Sequence, residues 1–134
     1  MIDTRALIIE DDPELRQLLK LSLEATDIET RTAADGKRGL ALMKHTRFDF
    51  IVTDILMPTM DGLEVIQAVR AGHEGVKIIA ISGGGRKLPG TQVLGVAGML
   101  GADAALSKPF TRQELLAAVK AVVGKTAIGD GAPV

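Results

Sequence analysis

Five side chains in this 134-residue sequence have the types and spacing to do chemistry together: Glu10, Asp11, Asp54, Ser82 and Lys108. Each follows or closes a short apolar run. Leu7-Ile8-Ile9 runs into Glu10 and Asp11, Phe50-Ile51-Val52-Thr53 into Asp54, Ile78-Ile79-Ala80-Ile81 into Ser82, and Ala104 to Ser107 into Lys108. If those runs are neighbouring strands of one parallel sheet, their carboxyl ends meet, and ligands of such sheets collect there. Three carboxylates at close range repel one another unless a hard cation sits among them, and oxygen-only ligands with room for water suit Mg²⁺. The ammonium of Lys108 and the hydroxyl of Ser82 add the positive charge and the donor that a phosphoryl group on a carboxylate needs around its oxygens. Singly, each residue has a plainer reading. An acid at a strand end is commonly a solvated loop residue, Ser82 before three glycines is ordinary turn chemistry, and Lys108 before Pro109 suits an exposed loop. The joint pattern carries the expectation. Asp12 stays outside it, because it directly precedes Pro13 and can cap a helix that begins there.

The elements that must hold these residues alternate regularly. Arg5 to Glu10 reads as a strand buried on both faces. A helix then starts at Pro13 and runs to about Ala25 on Leu15, Leu18, Leu19 and Leu23. Ile28 to Thr32 is a second strand, and a helix with Leu40, Leu42 and Met43 follows, ending near His45. Phe48 to Asp54 is the third strand. Asp61 caps a helix with a stripe of Leu63, Val65, Ile66 and Val69, closed by Gly72 and Gly75. Val76 to Ile81 is the fourth strand. A long Ser82 to Gly90 connection leads to a helix around Val93 to Leu100, softened by Gly95 and Gly98. Ala104 to Ser107 is the last strand. The last helix begins at a Thr111 cap, carries Leu115, Leu116, Val119 and Val122, and stops at Gly124. Five strands alternating with five helices predict right-handed crossovers and a parallel sheet covered on both faces. Residues 1–124 form one domain in this reading, with 125–134 as a flexible tail.

Composition narrows the function classes. Sixteen Lys and Arg against seventeen Asp and Glu give a net charge of -1, which disfavours direct DNA binding and attraction to an anionic membrane. No apolar run approaches the roughly 18 residues that span a bilayer, and the N-terminus lacks the form of a secretory signal, so the expected location is cytoplasmic. The absence of cysteine excludes disulfides, thiolate catalysis and Cys-ligated metals. His45 and His73 read as surface residues. Phe48, Phe50 and Phe110 are the only aromatic residues, so there is no stacking platform for single strands. Gly83-Gly84-Gly85-Arg86-Lys87 lacks the spacing of a Walker phosphate loop.

The chain resembles the receiver domains of two-component response regulators. The resemblance rests on Leu7-Ile8-Ile9-Glu10-Asp11-Asp12, on Val52-Thr53-Asp54-Ile55-Leu56-Met57-Pro58 with Asp61-Gly62, on Ile79 to Ser82, and on Lys108-Pro109-Phe110. It implies a flavodoxin-like (βα)₅ fold, a doubly wound five-stranded parallel sheet in three α/β/α layers. It implies that Asp54 accepts a phosphoryl group from a histidine kinase or a phosphotransfer protein. Asp11, Asp54 and the backbone carbonyl of Leu56 would ligate Mg²⁺, with Glu10 acting through water. Lys108 would pair with the phosphoryl oxygens, Ser82 would close over them, and the Lys108-Pro109 bond would be cis. Three features depart from the family pattern. Ala105 stands where many receivers carry an aromatic switch residue, the Ser82 to Lys108 stretch is a few residues longer than usual, and Glu10 replaces a common Asp. The expected output therefore runs through the loop after the fourth strand, the fourth helix, and the face they make with the fifth strand and fifth helix, toward a downstream protein target. The reading is of a stand-alone receiver. An alternative from the enzyme class, a Mg²⁺-dependent aspartyl phosphohydrolase, wants a second acid two residues after the nucleophile, and Leu56 is there. A flavin carrier of similar topology lacks the Trp or Tyr that would sandwich the ring.

Overall fold

A computed structural model describes residues 4–55, 62–73, 75–82, 95, 98 and 101–124. The strands are β1 (Arg5–Ile9), β2 (Glu29–Ala33), β3 (Phe50–Asp54), β4 (Lys77–Ser82) and β5 (Ala104–Ser107). The described helices are α1 (Pro13–Glu24), α2 (Gly36–Met43), α3 (Gly62–Gly72) and α4 (Arg112–Val123). All four strand pairings are parallel, in the order β2-β1-β3-β4-β5. β1 and β3 are therefore adjacent although β2 lies between them in sequence, and the direction of winding reverses at their carboxyl ends.

Two apolar clusters separate cleanly onto the two sheet faces, because alternate strand residues point opposite ways. Leu7, Ile9, Ile51 and Ile78 pack with Met43 of α2 and Val65, Ile66 and Val69 of α3. Ala6, Ile8, Phe50, Val52, Ile79 and Ile81 pack with Leu19 and Leu23 of α1 and Leu115 and Val119 of α4. This is the three-layer α/β/α arrangement expected from the alternation. Each large side chain so buried contributes roughly 1.5–3 kcal/mol.

Local signals set the helix ends. The Asp12 carboxylate accepts from the Glu14 N–H at 3.0 Å, with Pro13 in the first turn of α1. Asp35 caps α2 through the Arg38 N–H at 2.8 Å. Thr111 and Glu114 form a reciprocal capping box at α4, and Gly124, at φ 97°, ends it. Boundaries shift by small amounts from the sequence reading. β2 runs one residue later, β3 starts at Phe50 with Phe48 still buried, and α2 stops at Met43, short of His45. Leu18 is 60% exposed, not buried. Leu15, Leu19 and Leu23, four residues apart, make the inward stripe, and a residue one step from Leu19 is turned about 100° away. The Asp61 cap and the Gly83 to Gly90 connection lie outside the described residues. So does the helix expected over Val93 to Leu100, apart from Gly95 and Gly98, and so does the tail at 125–134.

One end of α3 rests on the backbone of Asp54. The Gly62 N–H donates to the Ile55 carbonyl at 2.7 Å, and a Cβ added at Gly62 would lie 2.0 Å from the Asp54 carbonyl oxygen and 2.5 Å from Ile55 Cα. The other end is held by Arg70. Its Nε donates to the Gly101 carbonyl at 2.9 Å, Nη1 donates to the Val76 carbonyl at 2.6 Å, and Nη2 pairs with Asp103. Asp103 also accepts from the Ile78 N–H at 2.8 Å, so one guanidinium ties α3 to the starts of β4 and β5. Gly62→Ala should destabilise the fold by about 2–4 kcal/mol, since the clash is with backbone that has no rotamer to change. Urea denaturation followed by circular dichroism checks this, and a loss below about 0.5 kcal/mol would contradict the close approach.

Candidate functional site

Parallel register brings the strand ends to one place. Thr53 pairs with Ile9 and Asp54 with Ile81, so Asp54 lies between the residues that follow β1 and those that end β4. Carboxylate oxygens of Glu10, Asp11 and Asp54 all fall within 4.8 Å of one another. Glu10 and Asp54 are buried, and Asp11 is exposed. Lys108 reaches in from beyond β5. Its Nζ donates to Asp54 Oδ2 at 2.9 Å and lies 3.6 Å from Glu10 Oε1, an ion pair too long for a hydrogen bond. The Lys108 N–H donates to the Ser82 carbonyl at 2.7 Å, which binds the lysine backbone to the end of β4. Ser82 is fully buried beside it, and the Lys108-Pro109 bond is cis.

The charges do not balance. Among the described residues three carboxylates face one nearby ammonium, and the two buried acids cannot share it equally. Burial first, and the neighbouring Asp54 charge second, raise the Glu10 carboxyl from the usual 4.5 to about 7, against the lowering effects of the Asp12 N–H and Lys108. For Lys108, burial pulls the ammonium down. The hydrogen bond and charge of Asp54, with the charges of Glu10 and Asp11, outweigh it and leave its pKa above 10.5. Glu10 Oε2 accepts from the Asp12 N–H at 3.1 Å, whereas Glu10 Oε1 is buried with no hydrogen-bond partner. A buried carboxylate oxygen without a donor, aimed among two further carboxylates, fits a divalent hard cation and the water it carries.

All five side chains singled out in the sequence are accounted for here: Glu10, Asp11, Asp54 and Lys108 converge, and Ser82 ends the strand next to Asp54. The carbonyl of Leu56 lies outside the described residues. Two contributors escaped the sequence reading. Arg16 Nη1 donates to the Glu10 main-chain carbonyl at 2.9 Å and steadies the turn that aims Glu10 and Asp11. Gly62 admits α3 against Asp54. The glycine after Asp61 was visible, but its need for a missing Cβ shows only when α3 is laid on β3.

A doubly wound sheet of order 2-1-3-4-5, with an acid trio at its switch point and a lysine across from it, defines the receiver class of α/β domain. Comparison with known proteins bears this out. Residues 6–120 match the family described as response regulator receiver domain. The response regulator MprA of Mycolicibacterium vanbaalenii is 35% identical over 128 residues, covering 96% of this chain and 54% of that protein. The MprA of Mycobacterium leprae is 34% identical over 128 residues, with the same coverage. The chain thus spans about half the length of the curated relatives it matches. Among solved structures, a receiver domain protein from Clostridium thermocellum superimposes with a TM-score of 0.82 at 25% identity, covering 90% of this chain and 94% of that one. The response regulator TrrA of Thermotoga maritima, in complex with Mg²⁺-BeF, gives 0.78 at 29% identity, covering 89% and 98%. The chain belongs to the response regulator receiver domain family.

The shifted Glu10 carboxyl sets a pH dependence. Between about pH 4.5 and 7 the folded protein holds a proton there that the unfolded chain has lost, so metal-free stability should fall as pH rises through that window. The upper limit is about 3 kcal/mol. Melting temperatures in EDTA should therefore decline from pH 5 to 8, more steeply for the native chain than for Glu10→Gln. Mg²⁺ should raise the melting temperature more at pH 8 than at pH 6, because protons compete with it. Parallel curves for the two proteins would show that Glu10 is not the titrating group.

Proposed function

We propose that Asp54 is the phosphoacceptor of this receiver, taking its phosphoryl group from a histidine kinase or a histidine phosphotransfer protein with Mg²⁺ present. The observation that carries the reading is the Asp54 carboxylate itself. It is buried, within 4.8 Å of two further carboxylates, and hydrogen-bonded to a lysine ammonium. In the transfer, an Asp54 oxygen forms the new O–P bond as the P–N bond of the phosphohistidine breaks and the released imidazole takes up a proton. Lys108 Nζ holds the Asp54 side chain and supplies positive charge where the phosphoryl oxygens gather. Glu10, Asp11 and Asp54, with the Leu56 carbonyl, are the proposed holders of Mg²⁺. The ion supplies neutralisation of phosphoryl charge when bound. Ser82, buried at the end of β4, is the proposed hydroxyl donor to the phosphoryl group.

Residues 1–124 are proposed as the receiver unit and 125–134 as a tail, with a cytoplasmic location. Among the described residues no helix is long and apolar enough to cross a membrane. The net charge of -1 supports a receiver that does not itself touch DNA, and its output is a protein contact. With an exposed Ala105 in β5 there is no ring to swing toward Ser82, so output is proposed to pass through the segment from Gly83 to Leu100 and the face it makes with β5 and α4.

Intact-mass measurement after incubation with acetyl phosphate should show one added phosphoryl group, dependent on Mg²⁺ and removed by hydroxylamine. Asp54→Asn should abolish it, and a full mass shift in that variant would overturn the assignment. Amide exchange with and without beryllofluoride tests the output route. The largest changes away from the acid cluster are expected between Gly83 and Leu100, and changes confined to Ala104–Ser107 would contradict that route.

A further inference from the structure

On the β2 side of the molecule, a groove of about 520 Å³ runs between α2 and the first turns of α1. Arg38, Ala41 and Leu42, at the i, i+3, i+4 spacing of one helical face, line one wall, and His45 joins them from the turn after α2. Arg16 of α1 and Ala33 at the end of β2 close the other wall. The floor is alanine and leucine, the rim carries two guanidinium groups and an imidazole, and among the described residues no acid lines the groove. Asp35, the nearest acid along the chain, is already engaged as the α2 cap and lies 3.8 Å from Arg38 Nε.

Positive charge also gathers beside the groove. Lys37, Arg38, Lys44 and Arg47 fall between Gly36 and Phe48, a stretch without Asp or Glu that Asp35 and Asp49 flank. Of these four, Arg38 lines the groove. A chain with a net charge of -1 thus carries a local excess of four positive charges on α2 and the turn after it. A positive rim over an apolar floor selects a ligand that is both anionic and apolar.

We infer that this groove docks an acidic, leucine-bearing segment of a partner protein. An apolar anchor fills the alanine and leucine floor while flanking carboxylates meet Arg38, Arg16 and His45. Nucleic acid fits less well, because no Phe, Tyr or Trp is among the described residues that line the groove to give a broad stacking surface. A bilayer surface fits less well too, because α2 is only eight residues long and its Leu40 and Met43 pack into the core, leaving Ala41 and Leu42 as too small an apolar surface to enter lipid. The groove adjoins the acid cluster through one side chain. The Arg16 guanidinium that lines it also donates to the Glu10 carbonyl at 2.9 Å, so a docked carboxylate and the Glu10-Asp11 turn share a donor. Docking itself does not depend on Asp54 being a phosphoacceptor, and its test uses unphosphorylated protein in EDTA.

The probe is a fluorescein-labelled peptide of repeating glutamate-glutamate-leucine, titrated with the full chain and read by fluorescence anisotropy. Saturable binding is expected, weakened about tenfold by Arg38→Glu and about threefold by His45→Ala, and reduced by ~0.5 M salt. Arg38 and His45 are exposed, so both variants keep the fold, which circular dichroism verifies. Lys20→Ala removes a cation from α1 that pairs with Glu24 outside the groove, and should leave binding unchanged. Absence of saturable binding overturns the inference. So does an equal loss with Lys20→Ala, or equal affinity for the lysine-lysine-leucine counterpart. Tighter binding of a single-stranded DNA oligomer or of anionic lipid vesicles, with the same sensitivity to Arg38→Glu, assigns the groove to another polyanion and overturns the protein partner.

Discussion

Mutual repulsion among Glu10, Asp11 and Asp54 is the constraint around which the rest of this domain is arranged. Two of the three carboxylates are buried, all three lie within 4.8 Å, and among the described residues one ammonium stands against them. A solvent-exposed trio would cost little. Here burial first, and the Asp54 charge second, make the Glu10 carboxyl hold its proton near neutral pH, and one Glu10 oxygen has no hydrogen-bond donor. The fold tolerates this because the strands bearing the acids are the best-supported elements it has. β1 and β3 are central, flanked on both sides by parallel neighbours and covered on both faces by apolar clusters. Destabilisation at the strand ends is offset by burial along their length.

The same constraint explains why polar connections concentrate on a few backbone points. Arg16 braces the Glu10 carbonyl, the Asp12 N–H holds the other Glu10 oxygen, and Lys108 is tied to Ser82 through its main chain as well as to Asp54 through its side chain. Each bond fixes a donor or an acid in a place it would leave if the repulsion were free to relax. A site held in this way responds sharply to added cation or phosphoryl charge, because neighbouring charges are already at close range in a region of low dielectric.

α3 extends the arrangement across the molecule. Its first residue abuts the Asp54 carbonyl and its Arg70 grips Val76, Gly101 and Asp103 at the opposite ends of the strands. Gly101, at φ 118°, admits the Arg70 side chain where a Cβ would lie 2.9 Å from Arg70 Cγ. Ser82 is tied to the acid cluster through Lys108, and Gly101 to the far pole through Arg70. On the β2 side, α2 has a different task, since its outer face is basic and its inner face is part of the core.

The alternation of apolar runs and helical stripes determined the fold class, because a period of two and a period of 3.6 are written directly in residue spacing. Strand-end placement also made Glu10, Asp11, Asp54, Ser82 and Lys108 legible as a group, since acids cannot be kept at buried strand ends without a reason. Caps at Asp12, Thr111 and Gly124 were legible for the same local cause. What the chain could not state by itself was anything that depends on two distant segments touching. The absent Cβ of Gly62, the grip of Arg70 on Gly101 and Asp103, and the donation from Arg16 to Glu10 involve partners outside local periodicity, and so does the groove between α1 and α2. Leu18 shows the converse, a leucine in an apolar pattern that packing leaves in solvent because its neighbour Leu19 takes the inward direction. Residue type and spacing decide which groups are available and which face they share. Only packing decides which backbone atoms they meet, because distance and desolvation are properties of the assembled sheet and not of any one of its strands.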